Sequence, residues 1–334
     1  VSASAGSVDR GRPTLRWDAV GIARRNLWTS GLVGLLVIFL ALTKFIQPTY
    51  GAAGIQGLAI SLLPIALAAV AQAIVVISGG IDLSVGSMMA LTSVTSAVLM
   101  KGQSDAVAVV IVIAILGMGL LLGTINGGLI VATRVPDIIV TLAMLFVWAG
   151  FALLVLHTPG GGAAPWLMES IRGPLVSEWL PRAVVVLAVV VGVVWVPLQR
   201  STVGLSLYAL GSNRLAAFRS GVPVGRTKIL SYALAGLFSA LGGLALTAST
   251  GIGSPVPGSY TLESVAAIVL GGVSLAGGRG GVVGPIIAVV VLALIRTDLT
   301  FLGVNPNWSE VIQGAILIGV VMFGSLLAMR KVRA

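Results

Sequence analysis

Apolar residues in this chain come in long unbroken runs of Ala, Val, Leu and Ile, with little of the strict alternation that marks half-buried strands. Runs of about 20 residues match the length at which a helix crosses a hydrocarbon core of roughly 30 Å. The pattern predicts ten such segments, at about residues 31–47, 55–78, 84–100, 106–132, 138–157, 183–199, 227–249, 262–277, 281–298 and 309–328. The segment at 262–277 is short and ends on glycine, so it reads either as a span or as a re-entrant segment. The expectation is an all-α polytopic membrane protein. A basic leader (1–30) precedes a single transmembrane domain (31–328), and a short tail (329–334) follows it. The most polar internal stretch is 200–226, and the stretch from Thr158 to Arg182 carries Trp166 and Trp179, which suit an interface.

Charge supports the count of spans. With the N-terminus inside, alternation places 15 Lys and Arg on the inner side and five outside: Lys44, Lys101, Arg172, Arg182 and Arg296. That asymmetry follows the positive-inside tendency and favours an even number of spans with both ends inside. It also accounts for the net charge of +10 without invoking nucleic acid. Only 9% of residues are charged and mean hydropathy is +1.09, whereas a soluble domain carries about 25% charged residues. The chain has no cysteine and one histidine, His157, which removes disulfides, thiol chemistry and Cys- or His-rich metal sites. No G-x-x-x-x-G-K-[ST], H-E-x-x-H or G-x-S-x-G occurs. The chain is therefore expected to be no enzyme, to hold no cofactor, and to bind no ATP by itself. The basic leader runs into a full-length span without a small-residue cleavage pattern.

Two interruptions of the apolar pattern carry chemistry. In "ISGGIDLSVGS" (Ile77 to Ser87) a glycine pair precedes a carboxylate. A charge at the bilayer centre costs about 2.5–3.5 kcal/mol, so Asp82 needs a structural reason. A helix break with Asp82 or Ser84 capping the next helix supplies one. In "YALGSNRLAAFRSGVPVGRTK" (Tyr208 to Lys228), Asn213 or Ser212 can cap a short helix that Gly221 and Pro223 terminate. Leu215, Phe218 and Val222 fall on one side of it, with Arg214 and Arg219 elsewhere. Such a helix either lies on anionic lipid or docks into a partner. Asp137, in "VPDIIVTL", reads as a cap for the fifth helix near Arg134. "GGIDLSVGS" after the second segment and "GGVSLAGGRGG" after the eighth both place a glycine pair at a span's inner end, as an inverted five-plus-five repeat would.

Four stretches in order carry a resemblance: "GGIDLSVGS", "LLLGTINGGLIVATRVPDIIVTLAML" (Leu120 to Leu145), "YALGSNRLAAFRSGV" and "AIVLGGVSLAGGRGGVVGPIIAV" (Ala267 to Val289). Together they resemble the ribose/monosaccharide-type permeases of bacterial ABC importers. The resemblance implies a ten-helix permease of the cytoplasmic (inner) membrane with both termini cytoplasmic. It pairs with a second, identical or related permease and works with two cytoplasmic ATPase subunits, which bind the ATP, and an extracytoplasmic sugar-binding protein. The sugar or similar polyol would pass through the permease. Gly211, Ser212, Asn213, Arg214, Ala216, Ala217, Ser220 and Gly221 match the family's coupling helix, which favours partner docking. The family often has acidic residues after the asparagine, where this chain has Arg214 and Leu215. Ser78, Asp82, Ser84, Ser87, Asn126 and Thr141 are polar side chains in apolar segments. They are the candidates for the translocation path, with hydrogen bonding to neighbouring helices as their other reading. The rival function is an ion-coupled secondary transporter of a small polar solute. That would need a titratable cluster near the midplane, and of ten acidic residues only Asp82 is expected to lie deep.

Overall fold

The computed structural model describes residues 27–256, 258–305 and scattered positions between 308 and 322. All regular structure among the described residues is helical. In chain order the helices are α1 (Leu27–Ile46), α2 (Ala52–Ile77), α3 (Val85–Met100), α4 (Asp105–Thr133), α5 (Asp137–Val155), α6 (Pro165–Ile171), α7 (Arg182–Arg200), α8 (Thr202–Ser212), α9 (Arg214–Arg219), α10 (Val224–Thr250), α11 (Tyr260–Leu270) and α12 (Val283–Phe301).

Seven of these, α1, α2, α4, α5, α7, α10 and α12, are long and apolar enough to cross a membrane. Two expected spans are shorter apolar helices. The 16 residues of α3 and 11 of α11 correspond to about 24 Å and 16 Å at 1.5 Å per residue. For the 262–277 segment the helical part stops at Leu270, about half the hydrocarbon thickness. The expected tenth span at 309–328, the tail at 329–334 and the leader up to residue 26 lie outside the described residues. The first helix begins at Leu27, four residues before the expected start. The stretch 200–226 is more ordered than a loop: α7 stops at Arg200, the Ser201 hydroxyl accepts the Gly204 N–H at 3.2 Å, and α8 and α9 follow.

The bundle is organised around α10, which packs against α2, α3 and α4, while α1, α11 and α12 group on another side of α2. α2 is apolar except at Gln56, Ser61 and Gln72, and from Leu62 to Ile77 every residue except the partly exposed Ile65 is buried, as expected of a central helix. Its neighbours approach through small side chains. Gly119, Gly123 and Gly127, one per turn of α4, lie against the α10 backbone. A methyl group on Gly123 would fall on the Tyr232 carbonyl oxygen, and one on Gly236 would fall on the Gly119 carbonyl. Lipid gives helices little hydrophobic reason to associate, so close van der Waals approach of this kind has to hold them.

Gly117, two residues before Gly119, is turned about 200° from this stripe, and nothing lies within 4 Å of where its Cβ would be. Gly123→Val is therefore expected to cost at least the ~1–3 kcal/mol of an overpacked core and to abolish a cooperative melt in detergent. Gly117→Ala should melt at or slightly above the wild-type temperature. Equal melting temperatures for the two variants would show that the α4–α10 contact is not tight.

Candidate translocation and coupling site

The break expected after the second span is a backbone cap. Gly79 takes φ +77°, the Gly79 N–H donates to Val76 O at 2.9 Å and the Gly80 N–H to Val75 O at 3.0 Å. This is the two-bond C-terminal motif for which glycine is favoured. The chain then runs through Ile81 and Asp82 before α3 begins. Asp82 is fully buried. Its Oδ1 accepts the Ser84 N–H at 2.8 Å and the Ser84 hydroxyl at 2.6 Å, while Oδ2 has no partner. Asp82 thus closes a turn on the residue before the helix, and Ser84, at the N-cap, makes no side-chain capping bond to α3.

The other candidate residues cluster around this turn. Trp148 Nε1 of α5 donates to Asn126 Oδ1 of α4 at 3.2 Å, and Asn126 Nδ2 donates to Ser84 Oγ at 2.7 Å. Each donor points towards the Asp82 carboxylate, so the chain of bonds ends on the charge that strengthens it. Ser87 Oγ donates to Ser84 O at 2.8 Å, and Thr141 Oγ1 lies 2.9 Å from Asp137 O and 3.3 Å from Ile81 O. Ser78 Oγ lies 2.8 Å from Val75 O and 3.0 Å from Ser231 Oγ. All six candidates are buried and bonded within the protein.

Asp137 departs from its expected role. Pro136 occupies the N-cap of α5 and no side chain caps that helix. The Asp137 carboxylate forms an ion pair with Lys228 of α10 and lies 3.0 Å from the Tyr232 hydroxyl. That hydroxyl is also 3.2 Å from Ile81 O, and Lys228 Nζ is 3.4 Å from Gly79 O. Two helices and the α2–α3 turn therefore meet on one partly buried ion pair. Sequence reasoning placed Asp137 and Lys228 at the same membrane edge. Only their shared location signalled the pair, since 91 positions separate them in the chain.

The same turn carries the α8–α9 corner. Asn213 is the N-cap of α9, its Oδ1 accepting the Ala216 N–H at 3.0 Å. Gly221, at φ +83°, closes the other end together with the Val222 N–H to Ala217 O bond of 3.0 Å. Arg214, Leu215, Ala216, Phe218 and Ser220 are exposed, and Ala217 alone is buried. Gly211, just ahead of the corner, sits on the end of α2: a methyl group there would strike the Ile77 carbonyl and lie 2.6 Å from Gly278 N. The Gly278 N–H donates to Ile77 O at 2.9 Å, and Ser212 packs against Gly278. Tyr208 Oη donates to Gly280 O at 2.8 Å, and burial raises its phenol above the ordinary range, keeping that proton in place. Three segments, ending α2, ending α8 and following α11, thus touch backbone to backbone.

Asp82→Asn retains an oxygen for both Ser84 bonds, whereas Asp82→Ala removes the anchor of the whole relay. The Asn variant is expected to melt near wild type in detergent. The Ala variant should lose roughly 0.5–2 kcal/mol, the usual worth of a side chain that ties down helix-start donors. A stable Asp82→Asn protein that fails in transport would assign the charge to the mechanism and not to the scaffold.

Against known proteins, residues 54–321 match the family described as "Branched-chain amino acid transport system / permease component". The ribose import permease protein RbsC of Escherichia coli K12 is 32% identical over 266 residues, covering 77% of this chain and 81% of that protein. RbsC of Bacillus subtilis 168 is 36% identical over 264 residues (77% and 80%). The galactose/methyl galactoside import permease protein MglC of E. coli K12 is 31% identical over 329 residues (90% and 95%). No solved structure matches the chain. With the match spanning the central helices, the Asp82 turn and the α8–α9 corner alike, the chain belongs to this family of transport-system permease components.

Proposed function

We propose that this chain is the membrane permease subunit of an ATP-binding-cassette importer and forms the path for a sugar or similar polyol. The relatives are import permeases for ribose and for galactose. The observation that carries the reading is the α8–α9 corner. Leu215 and Phe218 are 58% and 68% exposed on a six-residue helix flanked by Arg214 and Arg219. An apolar knob on a short capped helix suits the groove of a partner. Through Gly211 it bears directly on the end of α2, so a push on α9 is delivered to the central helix and the Asp82 turn. ATP hydrolysis belongs to two cytoplasmic subunits that this corner meets at Gly211, Ser212, Asn213, Arg214, Ala216, Ala217, Ser220 and Gly221. A second permease subunit and an extracytoplasmic sugar-binding protein complete the machine.

In this reading the chain sits in the bacterial inner membrane with ten membrane segments and both ends cytoplasmic. The five-plus-five repeat is supported locally by α11, which ends as α2 does. Gly272 takes φ +79°, the Gly272 N–H donates to Val269 O at 3.1 Å and the Val273 N–H to Ile268 O at 2.9 Å. The left-handed glycine is the first of the pair after α2 and the second after α11, so the two copies align with a one-residue offset. Ser78, Asp82, Ser84, Ser87, Asn126 and Thr141 form a polar seam beside the path, bonded shut in this state. The alternative, an ion-coupled transporter of a small polar solute, is less well supported, since the relatives named above are import permeases for sugars.

The test uses the chain assembled with its ATPase and binding protein in vesicles. Leu215→Asp/Phe218→Asp is expected to cut sugar uptake and sugar-stimulated ATP hydrolysis by tenfold or more, as loss of interface anchors worth about 2 kcal/mol does. The melting temperature of the permease alone should stay unchanged, because both side chains are exposed. Gly211→Val should lower both stability and uptake. Full ATP-driven uptake by the double variant would rule out α9 as the coupling element.

A further inference from the structure

At the end of the bundle opposite α9 lies a cavity of about 600 Å³, between the first half of α2, the start of α11 and the second half of α12. Its wall is mostly apolar, with Leu, Ile, Val and Ala side chains, and Ser61, Tyr260, Glu263, Arg296 and Thr297 supply polar groups to it. Glu263 accepts from the Ser259 hydroxyl and, at 3.2 Å, from Arg296 Nη2. Ser61 and Thr297 donate their protons to Leu58 O at 2.8 Å and Ala293 O at 2.9 Å, which leaves their oxygens available as acceptors. The ion pair cancels its own charge, so the rim favours a neutral ligand. Its mixture of N–H donors and oxygen acceptors is what a row of hydroxyl groups requires. The volume falls in the ordinary range for small-molecule sites, roughly 300–1,000 Å³.

A second observation lies deeper on the same helix. Gln72 is fully buried, and neither its Nε2 nor its Oε1 has a hydrogen-bond partner. An amide left dry in this way costs about 1–3 kcal/mol. At 100° per residue, Gln72 continues the stripe of α2 that carries Leu58, Ser61, Leu62 and Ile65 into the cavity wall. It lies seven residues, about 10 Å, beyond Ile65. It also stands five residues ahead of Ile77, whose carbonyl anchors the glycine contact beneath α8. Between the cavity and the buried half of α2, where α2 meets α11 and α12, Leu62, Leu270 and Val289 pack with Ala66, Ala69, Ala267 and Ala288.

We infer that the cavity is a binding station for a free monosaccharide and that Gln72 is the next polar contact on the same track through this chain. The inference rests on the sugar-importer reading and names where in the chain the sugar is held. In this structure the Gln72 amide has no partner within the protein, and the hydroxyls of a passing sugar supply one.

The absence of native cysteine makes a direct test possible. Ser61→Cys, at an exposed position, is labelled with an impermeant maleimide in vesicles holding the full complex. Millimolar D-ribose or D-galactose is expected to slow labelling several-fold. Gln72→Met removes the unpaired amide at similar volume, so its melting temperature should rise. Its ATP-driven uptake should fall roughly tenfold, equivalent to about 1.4 kcal/mol of barrier. A merely structural glutamine would instead lose stability and transport together. No protection by either sugar in a complex that transports it, or wild-type uptake by Gln72→Met, overturns the inference. Protection by added phospholipid alone assigns the cavity to lipid and overturns it as well. Failure of the unsubstituted complex to take up either sugar would overturn the importer reading itself, and the inference with it.

Discussion

Helices immersed in lipid gain little by hiding apolar surface from one another, so their arrangement depends on how closely their backbones can approach. Two such approaches organise this protein. Along α4 and α10, Gly119, Gly123, Gly127 and Gly236 bring main chain against main chain. At the inner corner, Gly79, Gly211 and Gly277 do the same for three segments distant in sequence, with a methyl on Gly277 calculated to lie 2.9 Å from Gly79 Cα. The first contact sets the spacing at which Asn126, Trp148 and Ser84 reach one another. The second leaves no slack between α8 and the end of α2. A lateral shift of either helix pair would break both polar networks.

The fully buried Asp82 and the partly buried Asp137 are tolerated for different reasons. Asp82 ends a directional chain of donors, so its carboxylate is solvated by protein dipoles in place of water. Asp137 has Lys228 beside it and the Tyr232 hydroxyl within hydrogen-bond distance. Removing one partner of such a pair strands the other, which makes the pair a strong constraint on geometry even where its net contribution to stability is small. Gln72 has neither kind of compensation. Among the described residues the Tyr50 hydroxyl, the Trp166 indole N–H and Asp82 Oδ2 are also buried without a partner, but only in Gln72 and Asp298 do both polar atoms of the side chain lack one.

α2 connects these features along its length. Its first half borders the cavity, its second half is enclosed by the bundle, and its last carbonyls receive the α8–α9 corner through Gly278 and Gly211. Pro64 removes one backbone hydrogen bond between the two halves of α2, and α1, α5 and α7 are the least enclosed of the spans among the described residues. The cavity and the α8–α9 corner thus lie at opposite ends of one helix.

What the amino-acid sequence determined by itself follows from local physics. Apolar runs located the long helices because a spanning helix must satisfy its own backbone and face hydrocarbon wherever it is not packed. The glycine pair located the break after α2, and Asn213, Gly221 and Pro223 located α9, because caps act within a few residues. The helix α8 was missed because Tyr208, Leu210 and Gly211 give no periodicity of their own. The role of Asp137 was misjudged because an N-terminal carboxylate looks alike whether it caps its own helix or pairs with a lysine 91 positions away. Only the tertiary structure could decide that pairing, the Trp148–Asn126–Ser84–Asp82 relay, the contact of Gly211 with Ile77 and the isolation of Gln72. Each depends on which helix faces are neighbours, and in a chain apolar on nearly every face the sequence pattern carries little information about that choice.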